Sequence, residues 1–263
     1  MCRILFAAGE GAKIKPLVDA TLKASQHDPY KARRGKRPYH GDGWGYVLLK
    51  GGSVRHYRSM EPMFEDGKGV ENLKGELEGF VVLMIHARAA SQGNKDLFNV
   101  QPFAFSTRRG FTYWLLHNGD LDKARIIEMG EFDEKDLETA SDSYTFATYL
   151  CRRLESTDLS EVLLHYGAIG ETAKTAFNTM TLFHDPRKGF KAFITAKMRD
   201  ELLEDQLEYD YYRLLLLEKE GLFAVASSTV ELYHPQEYER IPNGTAFEVG
   251  IGEGSIDVKR LRL

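Results

Sequence analysis

The chain begins MCRILFAAGE, residues 1–10, and its second residue is one of only two cysteines. The apolar run over residues 2–8 predicts a short β-strand. A thiol at a chain end is poorly placed for a structural role, because chain ends fray. The initiator Met1 is usually trimmed when a small residue follows it. We expect the processed chain to carry a free α-amine and a thiol on Cys2, which is a nucleophile with its own base.

Length and composition limit the classes of protein that this chain can be. Its 263 residues with 43% hydrophobic content predict a globular protein with a substantial core. A formal net charge of -4 does not favour a nucleic-acid or anionic-membrane surface, so we expect a small or neutral partner. The first apolar run is too short for a signal peptide or a membrane span, which predicts a cytoplasmic protein. The second cysteine, Cys151, forms no metal-binding pair with Cys2 and is expected to fill the core.

The hydrophobic pattern predicts runs of strands with helices inserted between them. A helix follows the first strand over residues 14–22, and the basic stretch HDPYKARRGKRPYH at 27–40 is predicted to be a loop. Strands are predicted at 44–50, 53–58, 80–88, 111–117, 178–185, 191–197, 211–218, 222–228 and 245–250, and helices at 134–154 and 160–175. No repeat or linker divides the chain, so residues 1–263 are expected to form one α+β domain built on mainly antiparallel sheet.

Four short clusters carry residues that can do chemistry. They are Cys2, HGDGWG at 40–45, HARAAS at 86–91 and HNGD at 117–120. Taken alone, each is weak evidence: Asn-Gly at 118–119 predicts a tight turn, and Arg88 reads as a surface cation. The histidines in these clusters invite a zinc interpretation, but their spacing matches no ligand pair. The sequence therefore predicts no metal and no cofactor.

Together the clusters supply what a thiol nucleophile needs. An α-amine with an ordinary pKa of about 7.7–8.0 can act as the base beside a thiol of about 8.5. The side-chain amide of Asn118 and the backbone N–H of Gly119 can donate to one oxyanion. The planar guanidinium of Arg88 suits a substrate carboxylate.

Six segments recur here in the order of a known family: MCR, GDGWG, HARAAS, QPF at 101–103, HNG and SDS at 141–143. Over roughly the first 145 residues the chain resembles the class II glutamine amidotransferases, which belong to the N-terminal nucleophile hydrolases. A weaker resemblance follows in LFAVASS and YERIPNGTAFEV. The resemblance implies a four-layer αββα sandwich with two mainly antiparallel sheets between helices.

The resemblance also implies a role for each matching residue. Cys2 would attack the side-chain amide of glutamine, and Asn118 with Gly119 would form the oxyanion hole. Arg88 would hold the α-carboxylate and Asp142 the α-ammonium. The same resemblance places His86 and Ser91 in the substrate pocket and makes residues 90–99 a mobile lid. Without it, Asp142 would be interpreted as the cap of a helix.

The leading hypothesis is a stand-alone hydrolase that cleaves a γ-glutamyl amide bond through a thioester on Cys2 and releases ammonia. Its acceptor is unknown, and a separate ammonia-consuming synthase subunit is a possible partner. Three alternatives stay open: a γ-glutamyl peptide or conjugate hydrolase that ignores free glutamine, a silent glutamine-binding module if Met1 is retained, and an amidase for unrelated acyl groups. The sequence does not predict an oligomeric state.

Overall fold

The computed structural model describes residues 2–263, so the predicted removal of Met1 lies outside the described residues. The strands are β1 (Arg3–Glu10), β2 (Trp44–Lys50), β3 (Ser53–Ser59), β4 (Phe80–Ala87), β5 (Phe103–Ser106), β6 (Thr112–Leu121), β7 (Ala173–Asp185), β8 (Gly189–Ala196), β9 (Leu214–Lys219), β10 (Leu222–Ser227), β11 (Glu239–Arg240), β12 (Thr245–Ile251) and β13 (Ile256–Arg262). The helices are α1 (Gly11–Gln26), α2 (Pro29–Arg33), α3 (Gly67–Glu76), α4 (Lys123–Gly130), α5 (Asp142–Arg153), α6 (Leu159–Gly170) and α7 (Gln206–Tyr212).

These strands form two antiparallel sheets. The first has the order β11-β9-β10-β1-β4-β2-β3, and the second has the order β13-β12-β8-β7-β6-β5. β1 lies in the middle of the first sheet, between β10 and β4. It is buried on both faces because apolar residues occupy both sides of its period-two repeat. The strand that directly follows Cys2 is therefore paired with a neighbouring strand along each of its edges.

Three apolar layers separate the two sheets from each other and each sheet from the helices that cover it. Leu5 and Ala7 of β1 pack on one side with residues of α1 and α3. Ile4 and Phe6 pack on the other side against strands of the second sheet. The far face of the second sheet packs against α4, α5 and α6. The predicted α+β fold, an αββα sandwich with two antiparallel sheets, is confirmed. No helix within residues 2–263 is long and apolar enough to cross a membrane.

Two local predictions are wrong for identifiable reasons. The stretch 27–40 is not only loop, because α2 begins at Pro29, a residue favoured in a first turn, and the Asp28 side chain caps it by accepting from the Lys31 N–H. Asn118-Gly119 is not a turn, because both residues lie inside β6 and pair with β7. In the second case pairing with a distant strand overrides the local turn preference.

Other element boundaries also differ from the prediction. The predicted helix at 134–154 is a 3₁₀ segment at Glu134–Leu137 followed by α5, and the helix predicted at 160–175 ends earlier, at Gly170. The first two residues of the strand predicted at 211–218 belong to α7. The sequence prediction also missed α3, α4, β5, β13 and the rest of α7. Cys151 packs against the third apolar layer, as predicted.

Candidate active site

Cys2 lies where three separate parts of the chain meet. Its backbone nitrogen donates to Oδ1 of Asn118 at 2.9 Å, from the start of β1 to β6 in the other sheet. The backbone N–H of Ala89, just after β4, donates to Cys2 Sγ at 3.4 Å. The ends of β1 and β4 and the middle of β6 therefore build one site.

Most of the predicted site residues share one small cavity at this point. Its lining includes Cys2, Arg88, Ser91, Gly119 and Asp142. Asn118 lies beside the cavity, where it contacts Cys2. His86, which lies in β4 and is fully buried, lowers the pKa of the Cys2 thiol. The fold has collected residues that are up to 140 positions apart in the sequence.

The thiol of Cys2 is acidic for a buried group. Burial raises its pKa, but the nearby ring of His86 and the N–H of Ala89 lower it by more, and the pKa lies at about 6. Within the described residues both ring nitrogens of His86 are buried and have no hydrogen-bond partner of ordinary geometry. Near neutral pH the thiolate, which is the reactive form, predominates.

Two groups beside the thiol are suited to stabilise an oxyanion. Nδ2 of Asn118 is buried and, among residues 2–263, has no hydrogen-bond partner. Gly119 follows it where the β6–β7 register shifts, and a Cβ at this position would lie 1.7 Å from the Ala176 carbonyl oxygen. Only glycine permits this close approach of β7.

Arg88 is a buried cation facing the same cavity. Its side chain is only 3% exposed, and Nη2 donates to the Asn94 carbonyl at 3.0 Å and to the Gln92 carbonyl at 3.5 Å. Nη1 is buried without a partner in the described part of the chain. A buried guanidinium N–H without an acceptor is costly, and a substrate carboxylate would supply the acceptor.

Asp142 is not the helix cap that its local sequence suggests. Ser141 caps α5 by accepting from the Tyr144 N–H, whereas Asp142 Oδ2 accepts from the Leu121 N–H at 2.8 Å. Burial raises the pKa of the Asp142 carboxyl to about 7, and the nearby Asp120 carboxylate adds to the rise. The cavity thus contains a cation, Arg88, and a carboxyl that ionises near neutral pH.

Two of the histidines that invited a zinc interpretation are hydrogen-bonded to protein groups. His117 contacts Ser143 Oγ at 2.9 Å and the Ala176 carbonyl at 3.2 Å, and burial lowers the pKa of its ring to about 4. His40 is bound to Asp28 at 2.8 Å. No group of three or more His, Cys, Asp or Glu side chains in residues 2–263 is arranged to hold a metal ion.

Sequence reasoning missed three residues around the cavity. Gln101 accepts from the His117 N–H at 2.6 Å, and Gln92 donates from Nε2 to Asp120 Oδ1 at 2.5 Å. Gln101 belongs to the quoted QPF segment and Asp120 to HNGD, but the sequence analysis predicted no role for either residue. Gln92 lies in the predicted lid, but no local signal indicates the direction of its side chain.

The chain also resembles known proteins in fold and sequence. A family model described as glutamine amidotransferases class-II matches residues 18–152, a range that holds Arg88, Asn118, Gly119 and Asp142 and begins after Cys2. The allosteric regulatory enzyme of purine biosynthesis has a TM-score of 0.64 at 15% identity, over 98% of this chain and 49% of that chain. The glutamine phosphoribosylpyrophosphate amidotransferase from B. subtilis, complexed with ADP and GMP, has a TM-score of 0.61 at 16% identity, over 99% of this chain and 49% of that one.

At these identities the likeness to the two solved structures concerns the fold, and this chain spans about half the length of each. A comparison with curated proteins found no match. Two antiparallel sheets stacked between helices make this a fold of the N-terminal nucleophile hydrolase type. The family model covers just over half of the chain, so the chain belongs to the class II glutamine amidotransferases.

Proposed function

We propose that this chain hydrolyses the side-chain amide of free glutamine to glutamate and ammonia, with Cys2 as the nucleophile. One observation supports this most: an acidic thiol, the guanidinium of Arg88 and the carboxyl of Asp142, all three buried, line one small cavity. A free amino acid presents one carboxylate and one ammonium, and these two buried groups complement them. The proposal extends to residues 1–263 as one domain, with the acceptor of the ammonia outside it.

The reaction follows from the groups around the thiol. The Cys2 thiolate attacks the amide carbon of glutamine, and the oxyanion that forms accepts from Asn118 Nδ2 and the Gly119 N–H. After removal of Met1, the protonated α-amine of Cys2 donates a proton to the leaving nitrogen; the C–N bond breaks, and ammonia departs from a thioester on Cys2. Water then attacks the thioester and gives a proton to the neutral α-amine; the C–S bond breaks, and glutamate leaves with the thiolate and the α-ammonium restored.

Arg88 and Asp142 fix the substrate during these steps. Arg88 Nη1 binds the α-carboxylate, and the Asp142 carboxylate binds the α-ammonium. Holding both ends of the amino-acid head group places the amide carbon beside Sγ, which turns a bimolecular encounter into a positioned attack. His86 contributes by keeping the thiol ionised.

The test is the intact mass of the protein before and after exposure to 6-diazo-5-oxo-L-norleucine, combined with a glutaminase assay. We expect loss of Met1, one adduct and ammonia release. Cys2→Ala should lose the adduct and the activity, whereas the matched control Cys151→Ala should keep both. Retained Met1 with no adduct would contradict the proposal. Cleavage of γ-glutamyl peptides without cleavage of glutamine would contradict the choice of substrate.

A further inference from the structure

The hydroxyl of Ser143 lies beside the carboxyl proposed to bind the substrate ammonium. Ser143 is buried and lines the same cavity as Cys2 and Asp142. Its Oγ is 3.4 Å from Asp142 Oδ1, the carboxyl oxygen that does not accept from the Leu121 N–H. A nitrogen bound to Oδ1 is therefore within reach of the Ser143 hydroxyl. What this hydroxyl offers to that nitrogen depends on where its own hydrogen points.

The direction of the Ser143 hydrogen is set by His117. Nε2 of the His117 ring lies 3.2 Å from the Ala176 carbonyl oxygen, which can only accept, so Nε2 must carry a hydrogen. Burial lowers the pKa of His117 to about 4, so near pH 7 the ring is neutral and its other nitrogen, Nδ1, carries none. Nδ1 lies 2.9 Å from Ser143 Oγ. In this contact only the hydroxyl can donate.

The His117 ring is held in this orientation from several sides. Its backbone N–H donates to Gln101 Oε1 at 2.6 Å. The centre of the ring lies 6.0 Å from that of Phe177 and 6.5 Å from that of Phe146. Both ring nitrogens are already bonded, so no polar group of the ring favours another orientation. Since Ser143 gives its one hydrogen to this fixed ring, its oxygen can only accept from a group in the cavity.

We propose that Ser143 is a second ligand of the substrate α-ammonium, beside Asp142, and that His117 is the positioning residue that makes its hydroxyl an acceptor. This proposal rests on the proposed function, in which Asp142 binds the ammonium. An ammonium only donates hydrogen bonds, so it matches a carboxylate oxygen and an acceptor-only hydroxyl lying side by side. A ligand without an amino group leaves the Ser143 oxygen without a donor. The pair therefore selects for ligands with a free ammonium.

The experiment measures binding without turnover, for ligands with and without an ammonium. In the Cys2→Ala chain, titration calorimetry follows L-glutamine and glutaramate, which is glutamine without its α-amino group. Ser143→Ala should weaken L-glutamine binding about tenfold and leave glutaramate binding unchanged. His117→Gln keeps a donor for the Ala176 carbonyl but has no acceptor at the position of Nδ1. The Ser143 hydrogen can then turn toward Asp142 and compete with the ammonium, so the preference for L-glutamine over glutaramate should fall here too.

A double variant and a control separate this role from general damage to the site. Because His117 acts through Ser143, adding His117→Gln to Ser143→Ala should not reduce the preference further. Ser141→Ala is the matched control, since Ser141 lines the same cavity but its Oγ already accepts from the Tyr144 N–H at 3.2 Å. It should leave the preference between the two ligands unchanged.

Each part of the proposal has its own contrary result. An unchanged preference in Ser143→Ala, or an equal loss in Ser141→Ala, would overturn Ser143 as an ammonium ligand. An unchanged preference in His117→Gln, or losses that add in the double variant, would overturn the positioning role of His117. In these cases the Cys2→Ala chain still binds L-glutamine and the proposed function stands. No binding of L-glutamine to the Cys2→Ala chain would overturn both.

Discussion

The backbone nitrogen of Cys2 and Oδ1 of Asn118 are 2.9 Å apart and join the two sheets at the site. Oδ1 accepts from Cys2, and Nδ2 of the same amide is buried without a hydrogen-bond partner in residues 2–263. One side chain therefore holds the nitrogen of the proposed nucleophile and offers a donor to the oxyanion. This contact joins residues 116 positions apart, so it exists only in the folded chain.

The first prediction concerns the ionisation of Cys2. In the Cys151→Ala chain, the rate of alkylation by iodoacetamide should rise through about pH 6, because the thiol pKa is about 6 and only the thiolate reacts. His86→Asn should move this midpoint upward, since burial without the neighbouring charge raises the pKa. Mass spectrometry over a pH series measures the rate. A midpoint near the ordinary value of about 8.5 would rule out the assignment.

The second prediction concerns the capture of an amino-acid ligand. The pKa of Asp142 is about 7, and only its ionised form can hold an ammonium. The rate of labelling by 6-diazo-5-oxo-L-norleucine should therefore rise through about pH 7, a higher midpoint than that for iodoacetamide. Asp142→Asn should remove this step and slow labelling about tenfold or more. Identical midpoints for the two reagents would argue against Asp142 as the ammonium ligand.

The third prediction concerns Arg88 and separates the binding of glutamine from the chemical step. Arg88→Ala should raise the KM for glutamine by about tenfold to a hundredfold and change kcat less, because the guanidinium binds the carboxylate rather than the reacting amide. Arg108→Ala is the matched control, since Arg108 is exposed on the surface. Steady-state kinetics measures both constants. An unchanged KM would remove Arg88 from the substrate pocket.

The fourth prediction is structural. Gly119→Ala would push a Cβ to within 1.7 Å of the Ala176 carbonyl, so β6 and β7 must separate and the protein should lose about 1–3 kcal/mol or more of stability. Gly167→Ala, in α6 with nothing within 4 Å of its new Cβ, should instead gain about 0.5–1 kcal/mol. Urea unfolding measures both. Equal stability of the two variants would contradict the close packing at Gly119.

The fifth prediction concerns the buried ion pair between Arg3, the first residue of β1, and Asp28. Arg3 Nε and Asp28 Oδ2 are 2.6 Å apart and fully buried, and the guanidinium holds the pKa of the carboxyl well below its usual range. Removing one partner of such a pair costs about 3–5 kcal/mol, so Asp28→Asn should be destabilised near pH 7.

The pH dependence of this loss has a defined sign. A lowered carboxyl pKa contributes stability above the unfolded value of about 3.9, and this contribution is lost as the pH falls below it. The difference between the unsubstituted chain and Asp28→Asn should therefore shrink in acid. Asp257→Asn, at an exposed position, should show little difference at either pH. A difference from Asp28→Asn that is constant with pH would contradict the assignment.

Local patterns in the sequence determined a large part of this picture. The runs of predicted strands with helices between them indicated an α+β domain on mainly antiparallel sheet. The order of the short motifs indicated the family, and the resemblance to that family implied two antiparallel sheets between helices. Such signals are carried by neighbouring residues, so they can be read without coordinates. The local clusters also indicated that Cys2, Arg88, Asn118 and Gly119 could act, whereas a role for Asp142 came only from the resemblance to the family.

The tertiary structure alone decided how those residues face one another. Asn118-Gly119 looks like a turn until β7 pairs with it, and Asp142 looks like a cap until Leu121 donates to it. The position of Gln92 and the low pKa of Cys2 likewise depend on groups brought together from distant parts of the chain. Burial, charge and hydrogen bonding at a site are sums over such distant neighbours, and no local pattern of residues contains them.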